Sequence, residues 1–197
     1  VYKRQDQGRY PSFHDSLRRQ QVRIISGIFR GKQIRPPVNF KARPTTDFAK
    51  ESLFNILIHQ YNMEEMDILD LFSGTGSISY EFASRGARSV LSIEMEPKHY
   101  KFIKDTCRNL QMDQVSVIRA DVFKYLKRPV QSFDIIFADP PFDHPGLSEL
   151  PELIFSSAIL NKEGLFILEH PGNYSFTAHP HFFQHRKYGG VNFTFFT

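Results

Sequence analysis

Cysteine is almost absent from this 197-residue chain. Cys107 stands alone, which excludes an internal disulfide and a multi-cysteine zinc site. Long apolar runs are missing too, and none approaches the roughly 18 residues that a membrane-spanning helix needs. No short apolar core followed by a small-residue cleavage site marks a secretory signal. The expectation is a cytoplasmic protein without a membrane. Acidic residues are missing from one stretch, Ser16 to Thr46. That stretch holds the basic residues Arg18, Arg19, Arg23, Arg30, Lys32, Arg35, Lys41 and Arg43. The formal net charge is +4, from 25 Lys+Arg and 21 Asp+Glu, so the rest of the chain is mildly acidic. A segregated basic patch is the electrostatic footprint of a polyanion binder, because each neutralised phosphate releases condensed counterions. A solvated hairpin with no partner would have the same composition.

What is present is globular. Hydrophobic residues make up 41% and charged residues 23%, which argues against disorder and for one domain with a small appendage. Residues 1–21 are polar and aperiodic and read as a disordered or non-native extension. Residues 22–46 read as a basic β-hairpin extension, its two β-prone runs flanking Gly27 and Gly31 as a hairpin or bulged ribbon. Residues 47–197 read as the main domain. It opens on a helix in which Thr46 or Asp47 caps the N-terminus and Phe48, Leu53, Phe54, Leu57 and Ile58 form the apolar face.

From Asp67 the pattern alternates. Strands are expected at 67–72, 89–93, 115–118, 133–138 and 164–168. Helices are expected at 77–85, 97–110, 122–126 and 149–160. Two last strands, 182–188 and 191–196, flank the hairpin signal Gly189-Gly190. Such alternation implies an α/β fold with a doubly wound, mostly parallel sheet closed by an antiparallel hairpin.

In open sheets of this kind the ligand lies outside the carboxyl ends of the strands. The first of these strands ends in Asp70-Leu71-Phe72-Ser73-Gly74-Thr75-Gly76. Glycines at 74 and 76 allow a sharp turn and close backbone approach. No Gly-Lys-Ser/Thr follows, so the loop is not a Walker loop, and Ser79 stands where a dinucleotide fingerprint has its third glycine. Asp70 would repel a pyrophosphate and suits a cationic ligand. Glu94 ends the second strand, where a carboxylate accepts from a ribose diol. Asp121 ends the third, placed either to accept from an adenine amino group or to cap the next helix. Together these describe a site for an adenosine attached to a positive group.

The fourth strand ends in Asp139-Pro140-Pro141-Phe142. The prolines offer no amide donors, so the Asp139 carboxylate and the Pro140 carbonyl present acceptors, and Phe142 presents an aromatic face. That suits a planar base carrying an NH2 group. The histidines at 170, 179, 181 and 185 fit no zinc spacing. No metal site is expected, and Cys107 reads as a small core or surface residue.

Asp-Pro-Pro-Phe resembles the motif of S-adenosylmethionine-dependent methyltransferases that modify exocyclic base nitrogens. Asp70–Gly76 looks like their cofactor loop, and the terminal hairpin is that of class I, Rossmann-like methyltransferases, whose sheet is seven-stranded. Val22-Arg23-Ile24-Ile25-Ser26-Gly27, and Arg43-Pro44-Thr45-Thr46-Asp47 running into Glu51-Ser52-Leu53-Phe54-Asn55, narrow the likeness to the RsmD family. That resemblance covers residues 22–197. It implies methyl transfer from S-adenosylmethionine, without a metal, to the N2 amino group of a guanine in 16S ribosomal RNA, free or in an assembling small subunit; a monomer is expected because no exposed apolar stripe asks for a partner. It implies that Asp70, Phe72, Ser73, Gly74, Gly76, Glu94 and Asp121 bind the cofactor, and that Asp139, Pro140 and Phe142 are catalytic. Arg23, Arg30, Lys32, Arg35 and Arg43 would contact RNA. An adenine-N6 methyltransferase and a non-catalytic RNA-binding assembly protein are the alternatives.

Overall fold

The computed structural model describes residues 21–37, 40 and 45–197. Lys41, Arg43 and the segment 1–20 lie outside the described residues. In chain order the elements are β1 (Val22–Arg23), β2 (Gln33–Ile34), α1 (Asp47–Gln60), β3 (Asp67–Leu71), α2 (Ser77–Ser84), β4 (Ser89–Glu94) and α3 (Pro97–Leu110). There follow β5 (Val115–Arg119), α4 (Val122–Leu126), β6 (Phe133–Ala138), α5 (Leu150–Ser156), β7 (Leu160–His170), β8 (Phe182–Tyr188) and β9 (Val191–Phe196). β1 and β2 form a two-stranded antiparallel ribbon. The other strands form one sheet in the order β5-β4-β3-β6-β7-β9-β8. β9 lies antiparallel to β7, and β8 to β9. The remaining pairs are parallel.

The strand order reverses between β3 and β6, so the ligand crevice opens there. β6 is central and apolar because both of its faces are covered. Ile135 and Phe137 enter one buried cluster, with Leu53, Phe54 and Leu57 of α1, Phe82 of α2 and Ile103 and Cys107 of α3. Ile136 and Ala138 enter a second, with Val122 and Leu126 of α4 and Leu150 and Ile154 of α5. Helices therefore cover both sheet faces. Phe54 and Phe82 meet edge to face at 4.6 Å, a pair worth ~1 kcal/mol beyond its burial.

Several sequence expectations shift. Thr46 is the N-cap of α1 and its side chain accepts from the Ala49 amide. Phe48 and Ile58 are exposed, not part of the apolar face. They lie off the Leu53–Leu57 stripe, and Phe48 instead meets Tyr188 edge-on at 6.0 Å. The helix expected over 149–160 is only Leu150–Ser156. β7 is longer than expected, reaching His170. Its last turn of pairing runs on against β9, through Glu169 opposite Phe193 and His170 opposite Asn192.

The ribbon is fastened to the domain by a buried charged cluster. Val22, Ile24 and Ile34 join the first core cluster. Glu81 of α2 accepts from the backbone amides of Ile25 (2.9 Å) and Ser26 (3.1 Å). Glu81 is also 3.6 Å from Lys50 Nζ and 2.9 Å from Arg85 Nε. Lys50 Nζ in turn donates to the Arg23 carbonyl and to Ser77 Oγ. Burial holds the Lys50 ammonium below its usual range, and Glu81 opposes that shift. Gly27 has φ +81°, and a Cβ there would lie 1.7 Å from the Ser84 carbonyl oxygen. Only glycine permits this approach, which brings the Ile28 amide to that same oxygen at 2.8 Å.

Candidate active site

The loop after β3 turns through left-handed conformations at Phe72 (φ 59°), Gly74 (φ 54°) and Gly76 (φ 79°). Ser73 closes it, its hydroxyl donating to the Asp70 carbonyl at 2.7 Å and its amide to the Ile93 carbonyl at 3.1 Å. Gly76 cannot carry a side chain, because a Cβ would lie 2.6 Å from the Tyr80 ring. The Asp70 carboxylate is buried beneath the loop. It accepts from the Ser79 amide at 3.1 Å and from the Ser79 hydroxyl, and Ser79 Oγ lies 2.6 Å from Ser92 Oγ on β4. Serine at position 79 thus ties α2 to the sheet through polar contacts. Burial pushes the Asp70 carboxyl up to about 7. Asp70 braces the loop from below, whereas the loop backbone forms the crevice wall.

Glu94 ends β4 and reaches back to the loop. Its Oε2 accepts from the Gly74 amide at 2.8 Å and its Oε1 from the Glu96 amide at 2.7 Å. His99 Nδ1 stands 3.8 Å from Oε1, and Phe40 packs on the His99 ring at 4.3 Å. The sequence offered no motif for these two neighbours. Asp121 caps α4, its Oδ1 accepting from the Lys124 amide at 2.9 Å. That satisfies the capping alternative and leaves the other oxygen without a hydrogen bond among the described residues. Phe123, in the helix that Asp121 caps, groups with Phe72 and His144. The Phe123 and His144 rings stack at 4.7 Å, and Phe72 lies 6.1 Å from Phe123. Two of these rings are thus nearly parallel, and Phe72 is inclined by 63° to Phe123.

Asp139 follows β6, its amide donating to the Leu71 carbonyl at 3.4 Å. Among the described residues its carboxylate makes no hydrogen bond and no ion pair. Burial, then the negative charges of Glu169 and Asp70, raise its pKa well above the carboxylate range. Pro140 is buried, while Phe142 is 47% exposed and its ring stacks on no other aromatic among the described residues. The structure adds a neighbour that the sequence reading missed. Glu169 sits beside Asp139, since β6 and β7 pair in register up to Ala138 opposite Leu168. It is 4% exposed, and burial pushes it up to about 7.

These carboxylates share one sheet face. Side chains alternate along a strand, and Ile68, Val90, Phe137 and Ile167 all enter the first core cluster. Residues of the same parity at the strand ends are Asp70, Glu94, Asp139 and Glu169. None of Asp70, Asp139 or Glu169 has a lysine or arginine partner among the described residues. A row of acceptors with no lysine or arginine beside these three among the described residues suits a positively charged ligand and repels a phosphate.

Arg30, Lys32 and Arg35 are exposed and form no ion pair among the described residues. Arg23 is paired with Asp47 at 2.9 Å. No group of three or more His, Cys, Asp or Glu among the described residues is placed to hold a metal. No described helix is long and apolar enough to cross a membrane.

The chain is 37% identical over 149 residues to ribosomal RNA small subunit methyltransferase D of Buchnera aphidicola, covering 75% of each chain. It is 31% identical to the protein of that name from Escherichia coli K12, covering 76% of this chain and 74% of that one. A solved putative methyltransferase from Escherichia coli superimposes with a TM-score of 0.78 at 28% identity, covering 89% of this chain and 97% of the other. Residues 22–197 match the family described as conserved hypothetical protein 95. With its doubly wound sheet, its terminal hairpin and its ribbon, the chain belongs to that family, the RsmD family.

Proposed function

We propose that this chain is a cytoplasmic, monomeric enzyme that transfers the methyl group of S-adenosylmethionine to the N2 amino group of a guanine in small-subunit ribosomal RNA. The observation that carries the proposal is the Asp139 carboxylate at the switch point, which has no partner among the described residues, next to the Pro140 carbonyl and the exposed Phe142 ring. The loop backbone at Ser73, Gly74 and Gly76 takes the methionine part of the cofactor, braced by Asp70, and Phe72 adds an apolar wall. Glu94 accepts from the ribose hydroxyls. Asp121 accepts from the adenine amine, beside the Phe123 ring.

The chemistry is redox-neutral. A new N–C bond forms as the S–C bond breaks, the sulfonium becomes a neutral thioether, and one proton leaves nitrogen. The obstacle is the guanine lone pair, which is delocalised into the ring. Asp139 and Pro140 accept the two amino hydrogens and draw nitrogen toward a tetrahedral geometry. As positive charge develops on nitrogen, Asp139 stabilises it by ~3 kcal/mol, the scale of one preorganised electrostatic contact. Holding both reactants in line supplies much of the remainder. The proton then passes to Asp139 or to water. Phe142 stacks on the base, which must be unpaired or splayed out to enter.

The test is methyl transfer from labelled S-adenosylmethionine to unmodified small-subunit RNA and to particles, followed by nucleoside analysis. N2-methylguanine is the expected product. N6-methyladenine, or no transfer, would overturn the proposal.

Two further outcomes are expected. Glu94→Ala removes both ribose acceptors and the link to Gly74, and should weaken S-adenosylmethionine binding about 30-fold, as loss of hydrogen bonds to a charged acceptor does. Calorimetric titration reads this directly. Replacing Arg30, Lys32 and Arg35 together with Ala should flatten the dependence of log K for RNA on log salt by about 2, at ~0.7–0.9 per lost phosphate contact. The methylated nucleoside should not change. An unaltered salt slope would place the RNA contacts elsewhere.

A further inference from the structure

Glu169 is the one carboxylate of the strand-end row for which the proposed reaction has so far found no task. It is buried at 4% exposure on the sheet face that carries Asp139, one strand away and in register. A buried carboxylate is costly to keep unless it is hydrogen-bonded. This one has a single side-chain partner among the described residues, the Thr45 hydroxyl, which donates to Oε2 at 3.1 Å. Its other oxygen, Oε1, makes no hydrogen bond among them. Thr45 immediately precedes the N-cap of α1, so the segment that starts the helix also aims Glu169.

We infer that Glu169 is a specificity-determining residue of the base pocket, whose free oxygen accepts the ring N1–H of guanine while Asp139 and Pro140 hold the neighbouring N2 amino group. The inference rests on the guanine reading above and deepens it. On the pairing edge of guanine, N1–H and the N2 amino group are adjacent donors. Adenine carries a lone pair at N1, so its edge meets a carboxylate with repulsion. Two acceptors side by side, fed by neighbouring parallel strands, match a donor–donor edge. Asp-Pro-Pro-Phe alone supplies acceptors for one amino group and does not separate the two bases. A carboxylate facing N1 does, because the wrong base leaves a buried acceptor unpaired. The two acid groups lie close enough that the charge of Glu169 discourages ionisation of Asp139. Two N–H donors from the base relieve that conflict.

The test uses RNA in which the guanine found to be methylated is replaced by 2-aminopurine. This analogue keeps the amino group but has a lone pair at N1. Wild-type protein should prefer guanine by about 100-fold in kcat/KM, the scale expected when a buried acceptor loses its donor. Glu169→Gln keeps an acceptor for Thr45 and turns its NH2 donor toward N1, which suits the lone pair of 2-aminopurine and not the N1–H of guanine. It should lower kcat/KM on guanine and shrink the preference to below about tenfold, with S-adenosylmethionine affinity and melting temperature retained. Equal use of both bases by the wild type overturns the inference without any variant. So does an unchanged preference in Glu169→Gln, or a parallel loss of cofactor affinity. N6-methyladenine as the natural product defeats the guanine reading itself, whereas N2-methylguanine without discrimination at N1 defeats only the role of Glu169.

Discussion

Asp139→Ala should cut the turnover number about 10³-fold while the dissociation constant for S-adenosylmethionine stays within about threefold, because the carboxylate acts on charge that develops only in the transition state. Single-turnover methyl transfer and calorimetry separate the two quantities. Equal losses in both would remove Asp139 from the base and make it part of the cofactor site. The same residue should also betray itself in the stability of the ligand-free protein. Burial and the charges of Glu169 and Asp70 hold the Asp139 carboxyl well above its unfolded value. A group raised in this way keeps its proton in the folded state after the unfolded chain has lost its own, above pH ~4. Its contribution to stability therefore falls as pH rises from there, and levels off once the folded group ionises as well. Asp139→Asn removes the penalty. Its gain in melting temperature over the wild type should be larger at pH 8 than at pH 5. A gain independent of pH would mean that the site does not confine the charge. Stability given up at the reaction centre is what a preorganised acceptor requires.

Much of this site was legible because its residues sit where strands end. Asp139 follows a nearly continuous apolar run, and Glu94 follows another. The run length itself says where the side chain emerges. Glu169 escaped for the converse reason. The reading closed the strand at Leu168, so Glu169 fell in an unassigned segment before Pro171. What extends the strand is pairing with β9, a contact nearly complete in space but distant in sequence. The charged helix positions were equally opaque. Lys50 and Glu81 have the look of solvated helical residues, yet they are 1% and 0% exposed. Phe48 looks like a core residue and is 65% exposed. In each case local composition was overruled by what lies across the helix. For Lys50 and Glu81 that neighbour is the N-terminal ribbon.

Glu81→Ala should therefore be the most destabilising single change outside the apolar core, at about 3–5 kcal/mol, the cost of breaking a buried ion pair from one side. A domain stabilised by ~5–15 kcal/mol has little margin for that. The loss has two parts that can be separated. Glu81 answers the charges of Lys50 and Arg85, and it accepts the amides of Ile25 and Ser26. Without it Lys50, already depressed by burial, stands uncompensated. The double variant Lys50→Met with Glu81→Leu removes the lone ammonium and fills its space with apolar atoms. It should recover more than half of the lost free energy in urea unfolding. It cannot recover the two backbone donors. Hydrogen exchange at Ile25 and Ser26 should then stay faster than in the wild type, with the rest of the sheet protected as before. If the double variant is no more stable than the single one, the ion pair is not the cause. If exchange at the two amides is normal, Glu81 does not hold the ribbon. The expected result has a functional edge. The exposed cations Arg30, Lys32 and Arg35 ride on a ribbon that this carboxylate helps to fasten, and Lys50 carries the contact on to Ser77, the first residue of the helix behind the glycine loop. Loosening Glu81 should thus weaken RNA binding more than cofactor binding, since the loop keeps its own braces at Asp70, Ser73 and Glu94.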